Sequence, residues 1–300
     1  MKHIFLVGML FWFGLGANLA FAGAGHYTSG VEGIRAASVP PAGGNFYWRM
    51  YNAFYTASSI RDNNGSKAPG DFNVNVYALA NRFIYSSDIE ILGGNLLFDV
   101  IIPTVYTDIS YKGIGPSSFG ENKFGLGDIF VEPLFIGWHG DRWDALAAIG
   151  AYVPTGDYDR NRPASPGLGF WTIMYTLGGT VYLDEEKTWS ASVLGRFETH
   201  TEQDQTDITP GNHLHFEWGI GKNINKTFDI GVAGYCHWQV SDDSGPGASG
   251  DRERAYAIGP EIGFAIESIG VNVAVRSLWE FENKNKAQGN ITSLNFAYAF

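Results

Sequence analysis

Four histidines carry the side chains best suited to chemistry in this chain. His200, His213, His215 and His237 follow one another with Glu198 and Glu202 beside the first. Imidazole is the commonest transition-metal ligand, and clustered imidazole with carboxylate suits zinc, copper or nickel. Their spacing matches no sequence-local metal motif. The plainer reading is a row of hydrogen-bonding residues along one surface. Convergence in space decides between the two.

A second group is ionic. Arg49, Asp128, Glu132, Asp144, Arg196 and Glu198 share one face of their segments, as do Glu217, Asp229, Glu261, Arg276, Glu280 and Glu282. Enclosed charges need partners, and Arg276 with Glu261, or Arg196 with Glu217, can pair between neighbouring strands. Such ladders brace a wall, and rings of charge also set selectivity along a pathway. Tyr235, Tyr152 and Tyr182 add aromatic faces to the same surface. Catalytic signals are poor: there is no Gly-x-Ser-x-Gly elbow and no His-Glu-x-x-His, and no serine stands beside a histidine at one strand level. The expectation is a protein that is not an enzyme and takes no cofactor.

The elements that position these residues alternate with a period of two. Leu214, Phe216, Trp218 and Ile220 oppose His213, His215, Glu217, Gly219 and Gly221. Val271, Val273, Val275, Trp279 and Phe281 oppose Asn272, Ala274, Arg276, Glu280 and Glu282. One face is large and apolar, and the other is polar and small. That pattern suits lipid outside and a wet lumen inside. Phe264 and Val273 are accordingly expected against lipid, with Glu261 and Arg276 facing the lumen. Arg82 stands out of phase with Asn73 and Asn75, which predicts a bulge in its strand.

About twelve antiparallel strands are expected, at 46–59, 72–86, 94–110, 125–138, 142–155, 170–183, 188–202, 212–222, 227–241, 253–267, 269–283 and 290–300. Tight turns such as His139-Gly140-Asp141 alternate with long polar loops: 61–71, 111–124, 156–169, 203–211 and 242–252. Short turns on the periplasmic rim and long loops outside are the habit of outer-membrane barrels. Trp48, Trp138, Trp143 and Trp189 fall at one set of strand ends, and Trp171, Trp238 and Trp279 at the other. Indole rings gather at lipid–water boundaries in this way. The fold class is an all-β, transmembrane, antiparallel up-and-down β-barrel.

The termini agree. Lys2 and His3 precede an apolar run from Ile4 to Leu15 and then Ala20-Phe21-Ala22, so residues 1–22 read as a secretory signal peptide. Residues 23–45, with Pro40-Pro41, carry no strand pattern and are expected in the periplasm or as a plug in the barrel mouth; residues 46–300 form the barrel. Leu294, Phe296, Tyr298 and Phe300 close the chain as an aromatic strand, the signal that outer-membrane assembly machinery recognises. Among the 300 residues 39 are glycine and only 17% are charged. Mean hydropathy is −0.09. No apolar run after the signal is long enough for a membrane helix. A net charge of −11 argues against nucleic acid as a partner. A single cysteine, Cys236, excludes an intrachain disulfide.

Longer matches then accumulate. Gly125-Leu126-Gly127-Asp128-Ile129 precedes Glu132-Pro133-Leu134 and Gly137-Trp138-His139. Tyr152-Val153-Pro154-Thr155-Gly156-Asp157-Tyr158, Gly178-Gly179-Thr180, Asp184-Glu185 with Lys187, Pro210-Gly211-Asn212, Gly259-Pro260-Glu261 and Trp279-Glu280-Phe281 follow in order. The stretch from Gly25-His26-Tyr27 to Ala36-Ala37-Ser38 belongs with them. In these residues the chain resembles the outer-membrane transporters of the "meta-pathway of phenol degradation" type. The resemblance implies a barrel in the bacterial outer membrane, in contact with lipid and lipopolysaccharide, that takes up small hydrophobic or aromatic compounds. The competing expectation is a non-transporting barrel, either a lipid-modifying enzyme or a structural or stress protein.

Overall fold

The computed structural model describes residues 25–113, 118–225 and 227–300. The expected signal peptide lies outside the described residues. Thirteen strands form one antiparallel sheet: β1 (Asn45–Ile60), β2 (Asp71–Ile91), β3 (Gly94–Lys112), β4 (Ser118–Leu126), β5 (Ile129–His139), β6 (Trp143–Val153), β7 (Thr172–Tyr182), β8 (Trp189–His200), β9 (His213–Ile224), β10 (Phe228–Gln239), β11 (Arg254–Ile266), β12 (Val271–Lys284) and β13 (Ala287–Ala299). Each strand pairs with the next except β4, because β5 pairs with β3 instead; β1 pairs with β13, and the sheet closes on itself. Closure satisfies the backbone within the wall, which is the condition for crossing lipid without helices.

β4 and β5 share one edge of β3. Thr104 faces Leu126, and Ile101 faces Phe130. The two are one stave interrupted at Gly127 and Asp128, so the barrel has twelve staves plus this extra strand segment. The stretch 118–124 is expected within a loop, with a strand starting only at 125. It forms a strand because β2 and β3, at 21 and 19 residues, rise well beyond the roughly 9–11 needed to cross lipid, and β4 pairs with their projecting part. Above the break β4 pairs with β3 alone. Its other edge meets loop 154–171, through an Asp157 amide donating to the Leu126 carbonyl at 3.4 Å and a Lys123–Asp157 ion pair at 2.8 Å.

The outer surface is apolar. Leu177, Val193, Ile220, Ile258 and Val275 are all exposed. A continuous band of this kind would aggregate in water and is matched by lipid. Trp143 and Trp189 on the lower rim, and Trp171 and Trp279 on the upper, are exposed at its two margins. The inner face of β9 buries His213, His215, Glu217, Gly219 and Gly221.

Three facing expectations are corrected. No bulge separates Arg82 from Asn73 and Asn75: pairing of β2 with β1 and β3 is continuous there. Even positions from Phe72 to Ser86 point inward, Arg82 included, and Asn73 points out where β2 rises above the lipid. Val273 has outward parity but is 6% exposed. It lies in register between Phe264 and Phe296, two larger side chains on neighbouring strands, while Phe264 itself is exposed. Glu282 is exposed rather than inward. Its φ of 56° marks a bulge against β11 that turns the side chain out to Arg254, at 3.2 Å.

Candidate functional site

The lumen is occupied by the chain's own residues 25–44, which hold one 3-10 turn at Gly33–Arg35. The wall is carved to receive them. A Cβ on Gly221 or Gly231 would come within 2.7 Å of Ile34, and one on Gly178 within 2.9 Å of Ala37. Backbone groups of the segment are matched one by one. The Tyr27 amide donates to Glu198 at 2.9 Å, the Glu32 amide to Glu217 at 3.0 Å, the Ile34 amide to Glu261 at 3.1 Å, and the Ala37 amide to Ser192 at 2.9 Å. Arg276 Nε donates to the Gly30 carbonyl at 3.0 Å. The Tyr27 hydroxyl donates to Glu217, and its ring lies under Arg196. Arg35 reaches Asp229 at 2.9 Å. A buried strandless segment must find partners for its amides, and here the inward carboxylates supply them.

Glu32 is the electrostatic centre of the segment. Its carboxylate meets Arg49 from β1 at 3.5 Å, Arg82 from β2 at 3.2 Å and Arg196 from β8 at 3.2 Å. Burial alone would raise its pKa, but the combined pull of Arg82, Arg196 and Arg49 wins and holds it down at about 2. Arg82 also bonds Asp99 and approaches Glu132 at 3.6 Å.

Beside this segment is a cavity of about 150 Å³. Its wall is mostly apolar: Ala53, Ala78, Ala80, Ile101, Pro103, Val105, Phe130 and Met174 from the barrel, with Val31 and Tyr27 from the segment. Tyr152, Arg82, Arg196, His26 and Asp128 give it a few polar contacts. Pro166 and Leu168 of loop 154–171 and Gly127 at the stave break also line it, so the cavity abuts the part of the wall that no strand ladder closes.

The remaining inward residues form several further groups. Arg276 and Glu261 lie opposite one another and pair at 2.5 Å. Arg196 approaches Glu217 at 3.8 Å. Glu280 accepts from Tyr235 at 2.6 Å, Tyr55 at 2.8 Å and the Gly289 amide at 2.7 Å. Asp144 pairs with His139 and Tyr182, at 2.8 Å each. Asp128 accepts amides from Gly156 at 2.8 Å and Leu168 at 2.7 Å and meets His26 at 2.9 Å.

The four histidines are brought together near the upper rim. His200 Nε2 and His213 Nδ1 are 3.0 Å apart, His215 Nε2 meets Glu198 at 2.9 Å and Ser29 bonds His215 Nδ1 at 2.9 Å. His237 packs its ring 4.5 Å from that of His215. Sequence reasoning did not single out His26, Tyr27, Glu32, Ile34 or Glu253 as site residues. The first four sit in no periodic strand pattern, and Glu253 stands at the very start of the strand expected at 253–267. The one available signal was the Gly25-His26-Tyr27 stretch within the family resemblance.

A closed barrel with an apolar belt, two tryptophan margins and a polar, occupied lumen defines an outer-membrane β-barrel protein. The chain belongs to the family described as "Putative MetA-pathway of phenol degradation", whose model matches residues 57–296. Among solved structures it is similar to an outer membrane channel from Pseudomonas putida F1, at 15% identity and a TM-score of 0.76, over 88% of this chain and 97% of the other. The β domain of the Bordetella autotransporter BrkA has a TM-score of 0.48 at 13% identity, over 86% of this chain and 99% of that one. A Pseudomonas aeruginosa FadL homologue has 0.41 at 10% identity, over 85% and 89%. No curated protein matches the chain.

Proposed function

We propose that this protein is an outer-membrane channel that admits small hydrophobic solutes the size of one aromatic ring, with residues 25–44 as its constriction. The observation that carries the reading is the apolar cavity of about 150 Å³ between the inner segment and β1–β3. Apolar protein cavities of roughly this size stay dry and hold benzene. The tyrosine and histidine rings at its margin offer faces for stacking, and Asp128 and Arg82 offer hydrogen bonds to a phenolic hydroxyl. The family match and the likeness to a channel from Pseudomonas putida F1 support transport over catalysis. The test is uptake of labelled phenol or toluene by cells with and without the protein. Expression should speed uptake, and Ala80→Phe, which fills the cavity, should remove most of the gain. Equal uptake with and without the protein would favour a non-transporting barrel.

A further inference from the structure

Two buried imidazole nitrogens near the upper rim have no hydrogen-bond partner among the described residues: Nε2 of His213 and Nε2 of His237. His213 is fully buried and His237 is 4% exposed. A buried polar atom left unpaired loses the hydrogen bonds it had with water, so such atoms ask for an occupant. Glu253 Oε2 stands 3.7 Å from His237 Nε2, and the three ligand atoms lie within 4.8 Å of one another. Glu253 is held there by its neighbour strand: its amide donates to Gln239 Oε1 at 3.3 Å, and its carbonyl accepts the Gln239 amide at 2.9 Å.

A hydrogen-bonded chain fixes which nitrogen of His213 carries the proton. Asp128 is an acceptor, so His26 donates to it from Nε2, at 2.9 Å. His26 Nδ1 then accepts from the Thr172 hydroxyl at 2.6 Å. Thr172 Oγ1 in turn accepts from His200 Nδ1 at 2.7 Å, and His200 Nε2 accepts from His213 Nδ1 at 3.0 Å. His213 Nε2 is left with a bare lone pair. Metal-binding histidines have this arrangement, with the second ring nitrogen donating to an outer partner that fixes the tautomer.

We propose that His213, His237 and Glu253 bind a divalent transition-metal ion, zinc or copper, at the extracellular mouth of the lumen. Two imidazoles and a carboxylate suit either ion, and a fourth position remains for water. Bonds of about 2.0–2.1 Å set tetrahedral ligand atoms about 3.3 Å apart, so each atom moves inward by less than about 1 Å. The neighbouring trio Glu198, His200 and His213 is the weaker candidate. Both nitrogens of His200 are already bonded, and Glu198 is engaged by His215 and the Tyr27 amide. Lys286, also buried, acts electrostatically on His213 and His237 and opposes a cation. The Glu253 ligand and the nearby Glu198 carboxylate oppose Lys286 in turn.

The test is calorimetric titration of the untagged, refolded full-length barrel in detergent with zinc and with copper. Binding of one ion per barrel at micromolar affinity or tighter is expected. His237→Ala and Glu253→Gln should each abolish it. Thr172→Val cuts the chain without touching a ligand and should weaken binding about 10- to 100-fold. Heat-modifiable migration on gels checks that each variant folds. Should the alanine variant fail to fold, the visible spectrum of cobalt bound to the wild-type barrel decides, because a low-coordinate nitrogen and oxygen site gives intense bands and free cobalt does not. No stoichiometric binding by the wild type, or undiminished binding by a folded His237→Ala, would overturn the site.

Discussion

Glu32 is a carboxylate shut away from water with three guanidinium neighbours. Its pKa falls from 4.5 to about 2 on folding, against the opposing effect of burial. A depressed pKa means that ionised Glu32 stabilises docking fully above about pH 4.5 and loses that contribution as pH falls through about 2. Conductance in a planar bilayer should therefore hold steady from pH 7 to pH 4 and rise only as the carboxylate is protonated at lower pH. A rise centred at the ordinary carboxylate value would contradict the arginine triad. Glu32→Gln should open the channel at neutral pH, because breaking a buried ion pair from one side costs about 3–5 kcal/mol. Gly33 is a second test at this scale. It has φ +82°, and a Cβ there would collide with Arg276 and Glu261. Gly33→Ala should displace the inner segment, with higher conductance and unchanged barrel folding as the readout.

Loop 154–171 stands in place of a strand beside β4. Wall closed by a loop opens at lower cost than wall closed by a ladder, since fewer backbone bonds must break. A Cβ on Gly125 would lie 3.6 Å from Cβ of Pro166, within the range a disulfide needs. Oxidised Gly125→Cys with Pro166→Cys should pin the loop and slow aromatic uptake, with recovery on reduction. Uptake that ignores the crosslink would show that solute does not use this side. Strand facing is tested on β12. Val275 is 45% exposed on the outer face, and Val275→Arg should cost about 2–4 kcal/mol if it sits near mid-membrane. Denaturant unfolding from lipid vesicles measures that loss, and a change below about 1 kcal/mol would contradict a lipid-facing position near mid-membrane.

At the scale of the molecule, barrel and inner segment are matched along the whole path. The carboxylates of Glu198, Glu217 and Glu261 accept segment amides, and Gly178, Gly221 and Gly231 make room for Ile34 and Ala37. Twelve staves lie between barrels filled by side chains and barrels that leave an aqueous channel. Deleting residues 25–44 should raise conductance severalfold while the barrel still folds and migrates as a heat-modifiable band. Unchanged conductance would show that the segment does not limit the path.

The chain's own local pattern determined the architecture. Alternation in β9 from His213 to Gly221 assigns lipid and lumen faces, because a strand's side chains turn over every residue whatever the strand packs against. The tryptophan margins and the tight turns were legible for the same reason. What only the tertiary structure decided depends on neighbours distant in sequence. Val273 is buried where Phe264 and Phe296 flank it across two strand pairs, and Glu282 turns outward because of a bulge set by register with β11. Residues 118–124 of β4 look like loop in the sequence because that part lies beyond the lipid and carries no apolar alternation. The site itself was least legible. Glu32 gathers arginines from β1, β2 and β8, and Glu253 reaches His237 through its pairing with Gln239. No local period encodes such meetings; they exist only once the sheet has closed and the inner segment has found the groove left for it.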